Sequence, residues 1–128
     1  MKMILGYEPR KFLTETLLEA LSKGGANAAV KRFREYMREP VHRYTHTEQP
    51  LLEAGQQLLN EKKPEQALVL FQLNAEENPN SFRSYHALGE VYFLTGKKEL
   101  AVRNLEKSLQ LNPKSYDVRE RLRQIKAS

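Results

Sequence analysis

The chain has 128 residues, enough for one modest domain, and no cysteine, which excludes disulfides and thiolate chemistry and leaves the redox compartment undecided. Its net charge of +5 alternates along the chain: nine Lys/Arg face five acids over residues 1–43, two face six over 44–80, and ten face five over 81–128. A nucleic-acid binder is expected to gather its cations into one stripe with aromatics between them; here bases alternate with acids, as in Arg119-Glu120-Arg121, which reads as a solvated helix face and excludes specific nucleic-acid binding.

Taken in chain order, residues 1–8 read as an extended lead-in. Met3, Ile4 and Leu5 are apolar enough to pack, but the stretch is too short for a signal peptide. Pro9 opens a first helix, since its missing N–H costs nothing in a first turn. Phe12, Leu13, Thr16, Leu17, Ala20 and Leu21 recur at helical spacing, and Lys23-Gly24-Gly25 ends the helix where a left-handed turn is needed. Asn27 is the expected N-cap of a second helix. Ala29, Val30, Phe33, Tyr36 and Met37 form its apolar face, and Pro40 stops it. Residues 40–47 follow as a linker.

Thr47 is the expected cap of a third helix, with Pro50 in its first turn, running to about Asn60. A fourth spans Pro64 to about Glu77. Ser81 caps a fifth that ends near Thr95-Gly96, a sixth runs from about Lys98 to Leu111, and Ser115 caps a seventh. In that last helix Val118, Leu122 and Ile125 share one face while charged residues cover the rest, the pattern of a helix that closes an array. No apolar run approaches the roughly 18 residues that cross a bilayer.

The third to sixth helices repeat. Leu51-x-x-Ala54-Gly55-x-x-Leu58, Ala67-x-x-x-Phe71 and Pro79 return 34 residues later as Tyr85-x-x-Leu88-Gly89-x-x-Tyr92, Ala101-x-x-x-Leu105 and Pro113. A fixed period of this length implies stacked two-helix units. Gly55 and Gly89 fall mid-helix, where glycine costs about 1 kcal/mol against alanine, so a partner helix is expected against each bare backbone. Ala67 and Ala101 are the small residues expected on that partner. The first hairpin departs from the pattern: Ala29-x-x-x-Phe33 parallels Ala67-x-x-x-Phe71 at 38 residues and has no matching glycine.

These residues resemble the tetratricopeptide repeat (TPR) family. The fold that follows is all-α, antiparallel hairpins stacked as a short solenoid: a lead-in (1–8), a degenerate hairpin (9–39), a linker (40–47), two TPR units (48–81 and 82–114) and a capping helix (115–128). A finer pattern joins the hairpin to the repeats: Gly24-Gly25-x-x-Ala28-Ala29-x-x-x-Phe33-Arg34, Phe71-Gln72-Leu73-Asn74, Asn78-Pro79-Asn80-Ser81, Leu88-Gly89-Glu90-x-Tyr92 and Ser108-Leu109-Gln110-Leu111-Asn112-Pro113. In this order they are similar to the C-terminal TPR tail of certain bacterial serine hydrolases, beta-lactamase-related and esterase-like enzymes. The resemblance covers about residues 9–113. It implies a bacterial origin and an excised domain or a free-standing relative. That family's catalytic residues lie upstream of the tail, so none is carried over.

No catalytic constellation is expected. There is no G-x-S-x-G elbow; Ser81 and Ser115 stand at helix caps and Ser84 and Ser108 within helices. Gly24-Gly25 lacks the spacing of a phosphate loop. His42 and His46 are four apart, but they sit in the linker without a third ligand and read as surface residues, so no metal and no cofactor is expected.

The first helix of each stacked pair lines a concave surface. Its groove positions are Gln49, Leu52, Glu53, Gln56, Leu59 and Asn60, then Arg83, His86, Ala87, Glu90, Phe93 and Leu94. Leu52, Leu59, Phe93 and Leu94 are apolar where water is expected, which marks a contact site unless the first hairpin or the capping helix covers them. The family's carboxylate clamp needs Lys, Asn and Arg where this chain has Leu52, Gln56 and Ala87, so a peptide held by apolar contact with polar edges is the better expectation.

The expected function is therefore a non-catalytic protein–protein interaction module that holds a peptide or protein in this groove. The alternatives are an accessory domain docking on a linked hydrolase domain and a homo-oligomer, a homodimer for instance. A chain complete as it stands is expected in the cytoplasm; one excised from an exported hydrolase belongs in the periplasm or outside the cell.

Overall fold

The structure, a computed structural model, describes residues 9–42 and 46–128, with side chains from Leu13 onward. The lead-in, the Phe12 side chain and residues 43–45 therefore lie outside what is described. Six α-helices and one 3₁₀ turn follow in order, with no strand among the described residues: α1 (Pro9–Arg38), the turn Pro40–His42, α2 (Glu48–Asn60), α3 (Pro64–Glu77), α4 (Phe82–Leu94), α5 (Lys98–Leu111) and α6 (Tyr116–Ala127).

α1 is two helical arms joined at Gly25, whose φ of 77° and ψ of −160° break the helix. Only glycine takes that conformation without a Cβ clash. The break lies two residues before Asn27, so Asn27 is inside the second arm and does not cap it. Leu13, Leu17 and Leu21 from the first arm, and Ala29, Phe33 and Tyr36 from the second, are all buried. The arms pack on α2 and α3, and Thr14 Oγ1 donates to the Pro50 carbonyl at 3.2 Å.

α2 packs on α3 and α4 on α5 in the two most extensive helix pairs, while the α3–α4 contact joins the units into one stack. The two glycines explain the close approach. A Cβ on Gly55 would lie 2.6 Å from Cζ of Phe71, and one on Gly89 2.5 Å from Cγ of Leu105. Large side chains thus fill the space the glycines leave, and the Ala101 carbonyl oxygen lies 3.3 Å from the Gly89 Cβ position. The small residues Ala67 and Ala101 are fully buried on the same facing helices, α3 and α5.

The period extends to polar contacts. Asn74 Nδ2 donates to the Glu48 carbonyl at 3.2 Å, and Ser108 Oγ to the Phe82 carbonyl at 2.8 Å; donor and acceptor both move by one period. Each bond ties the back helix to the first turn of the front helix from a fully buried side chain. Ser81 and Ser115 accept from the backbone N–H of Ser84 and Val118, as N-caps do. Thr47 does not cap α2. Its backbone is already helical, and its hydroxyl accepts from Asn78 Nδ2 at 3.0 Å.

The linker is partly structured. His42 is 4% exposed, and its ring stacks on Tyr36 with centroids 3.6 Å apart and planes 6° from parallel. Its Nδ1 lies 2.9 Å from the Tyr36 carbonyl oxygen. The expectation of a surface histidine is corrected: the 3₁₀ turn after Pro40 folds the imidazole back onto the second arm, where an aromatic face buries it. His46 is exposed, and no His/Cys/Asp/Glu cluster among the described residues is suited to a metal ion.

Candidate partner-binding groove

α2 and α4 stand side by side at the front of the stack with α3 and α5 behind them. Their groove positions differ in character. On α2, Gln49 Nε2 donates to Glu53 at 3.0 Å and Gln56 Nε2 to Asn60 at 3.1 Å, so an exposed row of amides and a carboxylate runs along the helix. Leu52 and Leu59 are half-buried and pack against the core. The apolar half of the α2 face therefore leans inward, and the water-facing half is polar.

On α4, Arg83 points toward α2 and meets Glu48 at 3.5 Å, with its guanidinium carbon 5.3 Å from the Phe82 ring centre. His86 is about one third exposed and lies 3.9 Å from Glu90. Ala87 is half-buried and packs on the core, and Leu94 is 68% exposed. Phe93 is half-buried beneath Arg121 of α6, whose guanidinium carbon sits 4.7 Å from the ring centre. Arg121 also donates to both oxygens of Glu90, from Nε at 2.9 Å and Nη2 at 3.0 Å. This two-point bond holds the arginine pKa above its ordinary value. The capping helix thus covers Phe93.

α6 contributes more than a lid. Adding one period to Arg83, His86, Ala87 and Glu90 gives Asp117, Glu120, Arg121 and Gln124. All four line a recess of about 320 Å³ together with His86 and Glu90. α6 is therefore a third front helix, and the groove extends across it. The sequence reading missed these residues, although the 34-residue period reached them. Glu120 accepts from Arg123 Nε at 3.0 Å and from the Tyr116 hydroxyl at 3.2 Å; the arginine bond holds its carboxyl below the usual range, and the same carboxylate raises the Tyr116 pKa. At the position of Gly55 and Gly89 stands Arg123, 79% exposed, so among the described residues no helix packs behind α6 at that point.

A second, wider recess lies where the start of α2 meets the α3–α4 loop, lined by residues 46–49 and 77–81. Several of its polar groups are engaged in the fold: Asn78 Nδ2 reaches both Thr47 and Asn74, and Ser81 caps α4. No helix among the described residues is long and apolar enough to cross a membrane.

Comparison with known proteins agrees with this architecture. Residues 82–115 match the tetratricopeptide repeat family. The first TPR of Spaghetti (RPAP3), solved bound to the HSP90 peptide SRMEEVD, is 19% identical with a TM-score of 0.64, over 93% of this chain and 91% of that one. The first TPR domain of human RPAP3 is 20% identical with a TM-score of 0.65, over 94% and 93%. PcrH from Pseudomonas aeruginosa is 16% identical with a TM-score of 0.56, over 99% and 95%. These likenesses establish an all-helical TPR-type fold. No curated protein matches the chain in sequence.

Proposed function

We propose that this chain is a non-catalytic interaction module that holds a peptide or protein segment along the front faces of α2, α4 and α6. The observation that carries the reading is the division of labour among the helices. α3 and α5 bury Ala67, Leu70, Phe71, Ala101 and Leu105 to build a scaffold, while Gln49, Gln56 and Arg83 on the front helices stay exposed. Amides and charges in a row, backed by a rigid stack, suit recognition of an extended chain, whose own backbone groups need donors and acceptors. The likeness to a TPR solved with a bound peptide supports the same use of the fold. The docking of a linked hydrolase domain is a variant of this reading; it rests on the sequence resemblance alone. Self-association rests on no specific contact.

The absence of native cysteine makes the test clean. A photo-crosslinker on Gln56→Cys should capture a discrete partner in the source cells, and the same label on Glu76→Cys of α3 should not. Capture of the same bands from both positions would refute the groove. A captured band of this chain's own mass would identify self-association, and a captured hydrolase domain the accessory reading.

A further inference from the structure

We infer that the groove selects a partner segment rich in lysine or arginine and rejects an acidic one; this rests on the groove reading above and adds the partner's chemistry. The sign of the groove is opposite to that of the chain. The chain is net +5, yet the arginines bordering the groove are all engaged by acids. Arg83 faces Glu48, Arg121 is held at two points by Glu90, and Arg123 is tied to Glu120. Glu53 and Asp117 have no cationic partner among the described residues. The cations without such a role lie elsewhere, as with exposed Lys31, Arg34 and Arg38 on the second arm of α1 and Arg103 and Lys107 on α5.

An acidic segment would find no free cation in this groove. To reach Arg121 it would have to displace Glu90 from a bidentate, charge-assisted bond and leave that carboxylate beside its own. A basic segment meets the reverse situation. Asp117, the carboxylate here without a cationic partner among the described residues, lines a recess of about 320 Å³ between α4 and α6 beside the already bonded Glu90 and Glu120, where one long side chain can lay its stem against the front helices with its charge at Asp117. Glu53 offers a second negative point on α2, and Gln49, Gln56 and Gln124 supply amides for the peptide backbone. Discrimination here comes as much from the missing cation as from the acids present.

The test uses three fluorescein-labelled peptides of one length, differing only in whether the variable positions are lysine, glutamine or glutamate. Binding is read by anisotropy at physiological ionic strength, where long-range charge effects beyond about 8 Å are screened. The full chain is compared with the double variant Glu53→Lys/Asp117→Lys and with Glu76→Lys on α3, all checked for helix content. The lysine peptide should bind wild type and Glu76→Lys alike, about tenfold or more tighter than the glutamate peptide, and lose about tenfold in the double variant. Equal or tighter binding of the glutamate peptide, or no binding of any peptide, overturns the inference. Binding of the glutamine or glutamate peptide as tight as that of the lysine peptide, reported by a label at Gln56→Cys, would overturn it and leave the groove reading standing. Equal binding of the lysine peptide to all three proteins would place it outside the groove and sink both.

Discussion

Alanine at Gly89 separates two effects of opposite sign. In an isolated helix the change stabilises by about 1 kcal/mol, because alanine loses less backbone entropy. In this fold the new Cβ would sit 2.5 Å from Leu105 Cγ, 2.6 Å from its Cδ2 and 3.3 Å from the Ala101 carbonyl oxygen. Leu105 is fully buried, Cγ is not a free tip, and the carbonyl belongs to the backbone, so α4 and α5 must move apart. Overpacking of this kind costs about 1–3 kcal/mol. Set against the propensity gain, Gly89→Ala should destabilise by up to about 2 kcal/mol. Leu105→Ala alone should cost about 2–5 kcal/mol through lost burial and a cavity. In that background the added methyl enters vacated space, so Gly89→Ala should now stabilise by about 1 kcal/mol. The sign reversal is the signature, and the coupling should reach about 1–3 kcal/mol. Urea unfolding followed by far-UV circular dichroism, with the four proteins compared at a common slope, measures it. A stabilising Gly89→Ala in the wild-type background would show that helix propensity alone governs the position and that the close packing is misread.

Lys62 has a left-handed φ of 63° where the next unit has Gly96 at 81°, so Lys62→Gly should raise stability by up to about 1 kcal/mol in a thermal melt, and no gain would mean the turn is unstrained. Ser108→Ala leaves the Phe82 carbonyl without its 2.8 Å donor in a buried position and should cost about 1–3 kcal/mol, whereas an unchanged midpoint would mean that carbonyl finds another partner. Glu120 should titrate below the ordinary 4.5 because Arg123 bonds its carboxylate, so the contribution of this pair is present above the unfolded carboxyl range and lost as pH falls through the lowered value. Arg123→Gln should move the Glu120 carboxyl back upward in a carbon-detected NMR titration, and an unmoved titration would remove the arginine as the cause.

The period of 34 made the stack legible, because helix pairing repeats the same steric demand at the same interval. Glycine facing Phe71 or Leu105, serine at the caps and proline after Asn78 and Asn112 are local requirements that residue type alone expresses. Where the outcome depended on a neighbour, local reading failed. Thr47 looks like a cap, but Asn78 takes its hydroxyl, and His42 looks like a linker residue, but Tyr36 buries it. Neither partner lies within the local window that a cap or linker pattern inspects.

The groove divides in the same way. Which positions face forward follows from helical spacing, which is a property of the chain alone. What those positions offer a partner is decided by tertiary contacts. Leu52 and Leu59 lean into the core, and Arg121 crosses from α6 to cover Phe93 and engage Glu90, 31 residues away. Charge and apolar character are written in the residues, but whether a charge is free or an apolar surface is wet depends on what packs across it, and only the assembled stack brings α6 to α4.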